Sequence, residues 1–102
     1  MKKLGPVQVH GIAIDPQKWE VRVDGAHVSL TRDQFLLLHV LARNAGKVLR
    51  RQQLVEYVHG PEQDREVTEK SVNVQICGLR KILGRYGNLI HTERGVGYRF
   101  RA

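Results

Sequence analysis

His91-Thr92-Glu93-Arg94-Gly95-Val96-Gly97-Tyr98-Arg99-Phe100-Arg101 runs from a polar, basic segment through a Gly-Val-Gly centre into alternating aromatic and Arg residues. The two glycines permit a tight turn with positive φ. The alternation of Tyr98, Arg99, Phe100 and Arg101 has the period of a half-buried strand. The segment therefore reads as a β-hairpin with Arg94 at its tip and a return strand that is basic on one face.

Working back from this hairpin, the pattern becomes helical. Val72, Ile76, Leu79 and Leu83 recur at i, i+4, i+7 and i+11, which predicts a helix over about Thr68 to Leu83 with those residues inward. Gly84 and then Gly87-Asn88 close it. Residues 61–66 (Pro-Glu-Gln-Asp-Arg-Glu) form a polar, acid-leaning loop. A shorter helix covers Arg51 to Val58, with Leu54, Val55 and Val58 inward and Gly60-Pro61 as its stop. Arg50 stands where a Ser, Thr, Asp or Asn cap is usual. Thr31-Arg32-Asp33-Gln34 matches a capping box and opens the first helix. Phe35, Leu38, Leu41 and Ala42 line that helix, and Asn44-Ala45-Gly46 stops it. Lys47-Val48-Leu49 reads as a short connector. Before it, residues 5–30 read as a short antiparallel sheet. The alternating runs are Val7/Val9, Ile12/Ile14, Trp19/Val21/Val23 and Val28/Leu30, broken at Gly11, Asp15-Pro16 and Asp24-Gly25. Asp-Gly between two such runs is a strong hairpin signal.

Composition bounds the function. The 102 residues fit one domain with a modest core. Seventeen Lys and Arg against ten Asp and Glu give a net charge of +7. That balance favours a polyanionic partner, nucleic acid first and an anionic membrane second. The excess is distributed along the chain, so there is no basic tail that binds by charge alone. One cysteine, Cys77, excludes an internal disulfide and fits a reducing compartment. No apolar run approaches the ~18 residues of a membrane span, and no apolar run of the signal-peptide kind follows Met1-Lys2-Lys3. The expectation is a soluble cytoplasmic domain without a membrane partner.

Three helices in close succession followed by a hairpin form a winged helix-turn-helix. The fold class expected is α+β: an N-terminal four-stranded antiparallel sheet, three helices and a C-terminal β-hairpin wing. In that geometry one helix lies in the major groove of duplex DNA, and the wing reaches the backbone or minor groove. The third helix is the candidate reader. Opposite its buried stripe the spacing places Ser71, Val74 and Gly78, with Lys70, Cys77 and Lys81 to one side and Gln75 to the other. Val74 suits a thymine methyl and Gln75 a paired contact to adenine.

Leu30-Thr31 with Phe35, Leu37, Leu38 and Leu41, then Asn44-Ala45-Gly46-Lys47-Val48-Leu49, Arg51 and Leu54, resembles the effector domain of OmpR/PhoB-type response regulators. So do Val72, Val74, Ile76, Leu79-Arg80-Lys81-Ile82-Leu83 and Arg94-Gly95-Val96-Gly97-Tyr98-Arg99-Phe100. The resemblance covers about residues 7–101. It implies sequence-specific binding of duplex DNA, as a dimer on direct repeats, with transcriptional regulation as the output of a two-component phosphorelay. Residues 1–5 then form a linker or start segment, and residues 6–102 form the domain. The receiver domain that normally precedes it is absent from these residues, as in an isolated effector domain or a stand-alone regulator.

Carried over by position, the DNA contacts fall on Lys70, Ser71, Val74, Gln75, Cys77, Gly78, Arg80 and Lys81 of the third helix. Thr92 and Arg94 supply the wing, and Arg50 and Arg51 the start of the second helix. Many members carry two consecutive Arg where this chain has Cys77-Gly78. A small residue there either lets the helix sit closer to the groove floor or weakens base reading. Arg80 either contacts a phosphate or is a structural Arg paired with an acid such as Glu69. Arg94 stands where the family inserts a wing Arg into the minor groove, whose narrow form concentrates negative potential. Glu62, Asp64 and Glu66 lie in the loop that touches RNA polymerase in some members.

Catalysis finds no support in the sequence. The five His residues are scattered without metal-ligand spacing, and there is no phosphate-binding Gly loop or nucleophile elbow. No metal and no cofactor is expected. The competing reading is a winged-helix protein-interaction domain with weak or non-specific DNA binding, for which Cys77-Gly78 and the acids of 61–66 speak. A redox role for Cys77, with Lys81 one turn on, is a further and minor reading.

Overall fold

A computed structural model of the protein describes residues 5–60 and 66–102. Strands β1 (Val7–Val9), β2 (Ile12–Asp15), β3 (Glu20–Val23) and β4 (Ala26–Val28) form an antiparallel sheet in sequence order. Its tight turns carry the expected chemistry. Asp24 and Gly25 have φ of 51° and 85° between the paired residues Val23 and Ala26, as a two-residue hairpin requires. Trp19, expected in a strand, instead sits in the β2–β3 turn with φ 55° and is 54% exposed. Its ring lies 4.6 Å from that of Phe35, so packing on the first helix outweighs its strand propensity.

Helix α1 (Arg32–Arg43) opens with the capping box read from the sequence. The Gln34 amide N–H donates to Thr31 Oγ1 at 3.1 Å, and Thr31 N–H donates to Gln34 Oε1 at 3.0 Å. This helix is the centre of the core. Leu37, Leu38 and Leu41 are fully buried, and the helix packs on β1, on helices α2 (Arg51–His59) and α3 (Glu69–Leu83), and on the C-terminal strand. Arg50 caps α2 without a side-chain acceptor, since a guanidinium has none. Gln53 Oε1 accepts from Arg50 N–H at 2.8 Å instead.

Residues 48–50 depart from the expected connector. They form strand β5 (Val48–Arg50), which pairs with β7 (Gly97–Phe100), itself paired with β6 (Ile90–Glu93). The wing is therefore a three-stranded sheet ordered β5-β7-β6. Gly97 allows this pairing, because a Cβ there would run into the Leu49 carbonyl oxygen. Phe100 and Ile90 anchor the sheet in the core.

Between α3 and β6, residues Gly84–Leu89 form a 3₁₀ segment. It is latched to the first sheet through Asp24. Tyr86 Oη donates to Asp24 Oδ1 at 2.7 Å, and Arg85 Nη2 lies 3.2 Å from Asp24 Oδ2. The Tyr86 hydroxyl, helped by Arg85, holds the Asp24 carboxyl below its ordinary value. Among the described residues no helix is long and apolar enough to cross a membrane.

Candidate nucleic-acid interface

Helix α3 divides into four faces. Val72, Ile76, Leu79 and Leu83 are buried, as their spacing predicts. The opposite face is the exposed stripe Lys70, Val74, Cys77 and Lys81, spaced at i, i+4, i+7 and i+11. Val74 is 61% exposed, a high value for a β-branched apolar residue in a helix. The stripe is thus rotated from the one expected at Ser71, Val74 and Gly78, and Cys77 rather than Gly78 belongs to it.

One flank of α3 turns toward α1. Gln75 Oε1 accepts from Thr31 Oγ1 at 3.1 Å, so the side chain assigned to adenine reading bridges to the α1 cap. Gly78 is half-buried, and a Cβ on it would lie 2.8 Å from Gln34 Nε2. The absence of a side chain at Gly78 is therefore matched to the α1 cap. Ser71 serves the α3 cap. Its hydroxyl donates to Thr68 O at 2.8 Å and accepts from Thr68 N–H at 2.9 Å.

The other flank turns toward the wing. Arg80 Nε and Nη2 donate to Ile90 O at 3.0 and 2.7 Å, and Nη2 also donates to Thr92 Oγ1 at 2.7 Å. Of the two readings of Arg80, the structure favours the structural one, with a backbone carbonyl and Thr92 as partners in place of Glu69. The fork geometry of a guanidinium suits this two-atom grip. Asn73, which the sequence reading missed, is a second link. Tyr98 Oη donates to Asn73 Oδ1 at 2.6 Å, and Arg51 Nε donates to the same oxygen at 3.4 Å. The Arg51 and Arg80 guanidinium groups lie 5.2 and 5.5 Å from the Tyr98 ring centroid, within cation–π range. Arg51 is thereby half-buried, whereas Arg50 is exposed.

At the wing tip Arg94 and Val96 are exposed around Gly95, whose φ of 79° makes the turn. Val96 N–H closes it on Glu93 O at 2.9 Å. Arg99 is held back from the tip by Glu93 at 3.0 Å. Lys70, Lys81 and Arg94 carry no ion pair with another described residue. Three cations on α3 and the wing thus remain available to an anionic partner. Glu66 is exposed ahead of α3, while Glu62 and Asp64 lie outside the described residues. Among the described residues no three His, Cys, Asp or Glu side chains are placed to hold a metal ion.

Residues 25–100 match the family model described as transcriptional regulatory protein, C terminal. The chain belongs to this family. The response regulator ArlR of Staphylococcus aureus is 39% identical over 97 residues, covering 93% of this chain and 43% of ArlR. The chain therefore spans less than half of that relative's length. This family domain also resembles solved structures throughout. The DNA-binding domain of CpxR from E. coli superposes with a TM-score of 0.81 at 28% identity, covering 95% of this chain and 96% of that one. The Klebsiella pneumoniae RstA DNA-binding domain, solved in complex with the RstA box, gives a TM-score of 0.76 at 31% identity over 94% and 96% of the two chains. Thermotoga maritima DrrB, an OmpR/PhoB homolog, gives 0.80 at 31% identity over 96% of this chain and 45% of its own. The winged-helix fold expected from the sequence is the fold of this family, which is one of transcriptional regulators and not of enzymes.

Proposed function

We propose that this domain binds duplex DNA sequence-specifically and regulates transcription as the output domain of a two-component response regulator. The carrying observation is the pairing of two exposed, unneutralised features on one scaffold. These are the α3 stripe from Lys70 to Lys81 and the wing tip at Arg94. A helix of this kind enters the major groove while a wing Arg enters the adjacent minor groove. Lys70, Val74, Cys77 and Lys81 face the bases and nearby phosphates. Arg50 approaches the backbone from the start of α2. Ser71, Gln75, Gly78, Arg80, Arg51 and Thr92 mainly hold the reading elements in place, and Thr92 remains exposed enough to meet a phosphate.

As the output domain of a response regulator, it follows a receiver domain on its N-terminal side and acts in the cytoplasm. Binding occurs as a dimer on direct repeats. Glu66, with Glu62 and Asp64, offers an acidic contact to RNA polymerase. The second reading, a protein-interaction domain, draws on the apolar Val74 and uncharged Cys77 at the centre of the stripe. Salt separates the two. Phosphate contacts give a slope in log affinity against log salt of roughly −0.9 per phosphate neutralised, whereas a protein interface gives a shallow one. Selection from a random duplex library at near-physiological salt tests the proposal directly, and enrichment of a tandem repeat supports it. Arg94→Ala is expected to weaken binding and flatten the salt slope by about one phosphate. Unchanged affinity in that variant removes the wing from the interface.

A further inference from the structure

We infer that the centre of α3 reads its target through thymine methyl groups, so that thymines lie beneath Val74 and Cys77 at the centre of each half-site. The inference rests on the duplex binding proposed above and specifies what that interface recognises.

Two-point base recognition in the major groove uses Arg or Lys on guanine, or Asn and Gln on adenine. Helix α3 has one Arg, one Asn and one Gln, and each has one side of its polar group engaged inside the protein, so that none presents both points of such a contact. Arg80 grips Ile90 O and Thr92. Asn73 Oδ1 accepts from Tyr98 and Arg51. Gln75 Oε1 accepts from Thr31. The Ser71 hydroxyl is spent on the α3 cap. Glu69 lies in the first turn, off the exposed stripe, at the helix end where the dipole favours a carboxylate.

What faces outward is an ammonium at each end and two uncharged side chains between them. Lys70 and Lys81 are eleven residues apart, roughly 16 Å along the axis. They flank the centre as compact point charges that suit phosphates and, at the ends of the stripe, a guanine edge. Val74 and Cys77 are neighbours at i, i+3 on the helix surface. Val74 offers two methyl groups, and a thiol behaves as a small, polarizable apolar group with weak hydrogen-bonding power. The apolar feature a base edge presents in the major groove is the thymine C5-methyl. Contact there buries Val74 and Cys77 without stranding a donor or acceptor. Over cytosine or adenine the same pair would desolvate an amino group without replacing its hydrogen bond.

The test is a uracil scan. Duplexes enriched from the random library are remade with deoxyuridine at one thymine at a time, which deletes the methyl and keeps every base-pairing group. Their affinities for the 102-residue chain are then measured. At thymines under Val74 or Cys77 the expected loss is about fourfold per methyl, the value of one buried carbon of that size. That loss disappears at one thymine in Val74→Ala and at its neighbour in Cys77→Ala. Both positions are exposed, so the variants retain the fold. A flat scan on an enriched site overturns the inference and leaves sequence-specific binding standing. A penalty that persists in both variants also overturns it, because another group then reads the methyl. Failure to enrich any duplex removes the proposed function, and this inference with it.

Discussion

Gly78→Ala offers a sharp check on how α3 is seated. In an open helix interior, replacing Gly with Ala stabilises by about 1 kcal/mol. The structure predicts that this gain is cancelled here. The new methyl would stand 2.8 Å from Gln34 Nε2, closer than van der Waals contact allows. The Gln34 side chain has little freedom to retreat, because it is buried and its Oε1 accepts from Thr31 N–H at 3.0 Å. Moving it breaks that half of the capping box, which is worth about 0.5–1.5 kcal/mol as a net hydrogen bond. The two terms are of equal size and opposite sign, so Gly78→Ala alone should change stability by no more than about 0.5 kcal/mol. In a Gln34→Ala background the obstruction is gone, and the same substitution should give the full gain of about 1 kcal/mol. Urea unfolding of the four proteins of this cycle measures the coupling directly, with an expected interaction of about 1 kcal/mol. If Gly78→Ala stabilises equally in both backgrounds, Gln34 does not occupy the notch, and Gly78 needs another explanation.

Other outcomes follow from the same contacts. Arg80→Ala should destabilise by about 1–3 kcal/mol, the cost of leaving a carbonyl unpartnered; Arg80→Lys should not restore it, since an ammonium cannot reproduce the fork. Thermal melts of both variants check this. Asp24 has a folded-state carboxyl held below its ordinary value, chiefly by the Tyr86 hydroxyl. Its contribution is thus fully present above the unfolded value near 3.9 and is lost as pH falls through the lower folded value. Asp24→Asn should therefore remove part of the acid sensitivity below about pH 4 while leaving the slope near neutrality unchanged, as read from urea midpoints across pH. Cys77→Arg should add guanine to the selected site at one position, because it places a two-point donor on the exposed stripe; an unaltered selected site would show that Cys77 does not face the bases.

Much of the fold was legible because its signals are local. The Thr31–Gln34 capping box, the Asp24-Gly25 turn and the buried spacing of α3 each depend on residues close in sequence, and each stands as read. The failures share a cause. Trp19 fits a strand pattern, but Phe35 draws it into a turn, and Phe35 is a distant residue. Val48-Leu49-Arg50 is too short to announce a strand, and its partner β7 lies far along the chain. On α3 the period located the buried face correctly. It did not show which of the remaining faces is free, because Thr31, Gln34, Tyr98 and Ile90 claim the two flanks through contacts between elements. Asn73 gave no signal in its spacing. Gly78 does give one, since a Gly inside a helix implies a close neighbour, but its position alone does not distinguish a DNA groove from the Gln34 side chain.

The flanks of α3 bear directly on specificity. A helix held on one side by the α1 cap and on the other by Arg80, Asn73 and Tyr98 cannot easily roll about its axis. Rolling by one residue would break three hydrogen-bonded links, so the same four side chains face outward each time. That rigidity lowers the ordering cost of binding and limits which bases are read, because the polar side chains that lock the helix are engaged in doing so. In this chain the locking takes the only Arg, Asn and Gln of α3, and the stripe left facing outward is Lys70, Val74, Cys77 and Lys81. Under the proposed function, base choice at the centre of the stripe then falls on Val74 and Cys77, and phosphate attraction on Lys70, Lys81 and Arg94. A change on the exposed stripe should alter which duplex is chosen, whereas a change on either flank should weaken binding to every duplex alike. These two classes of variant differ in the selected sequence rather than in affinity alone.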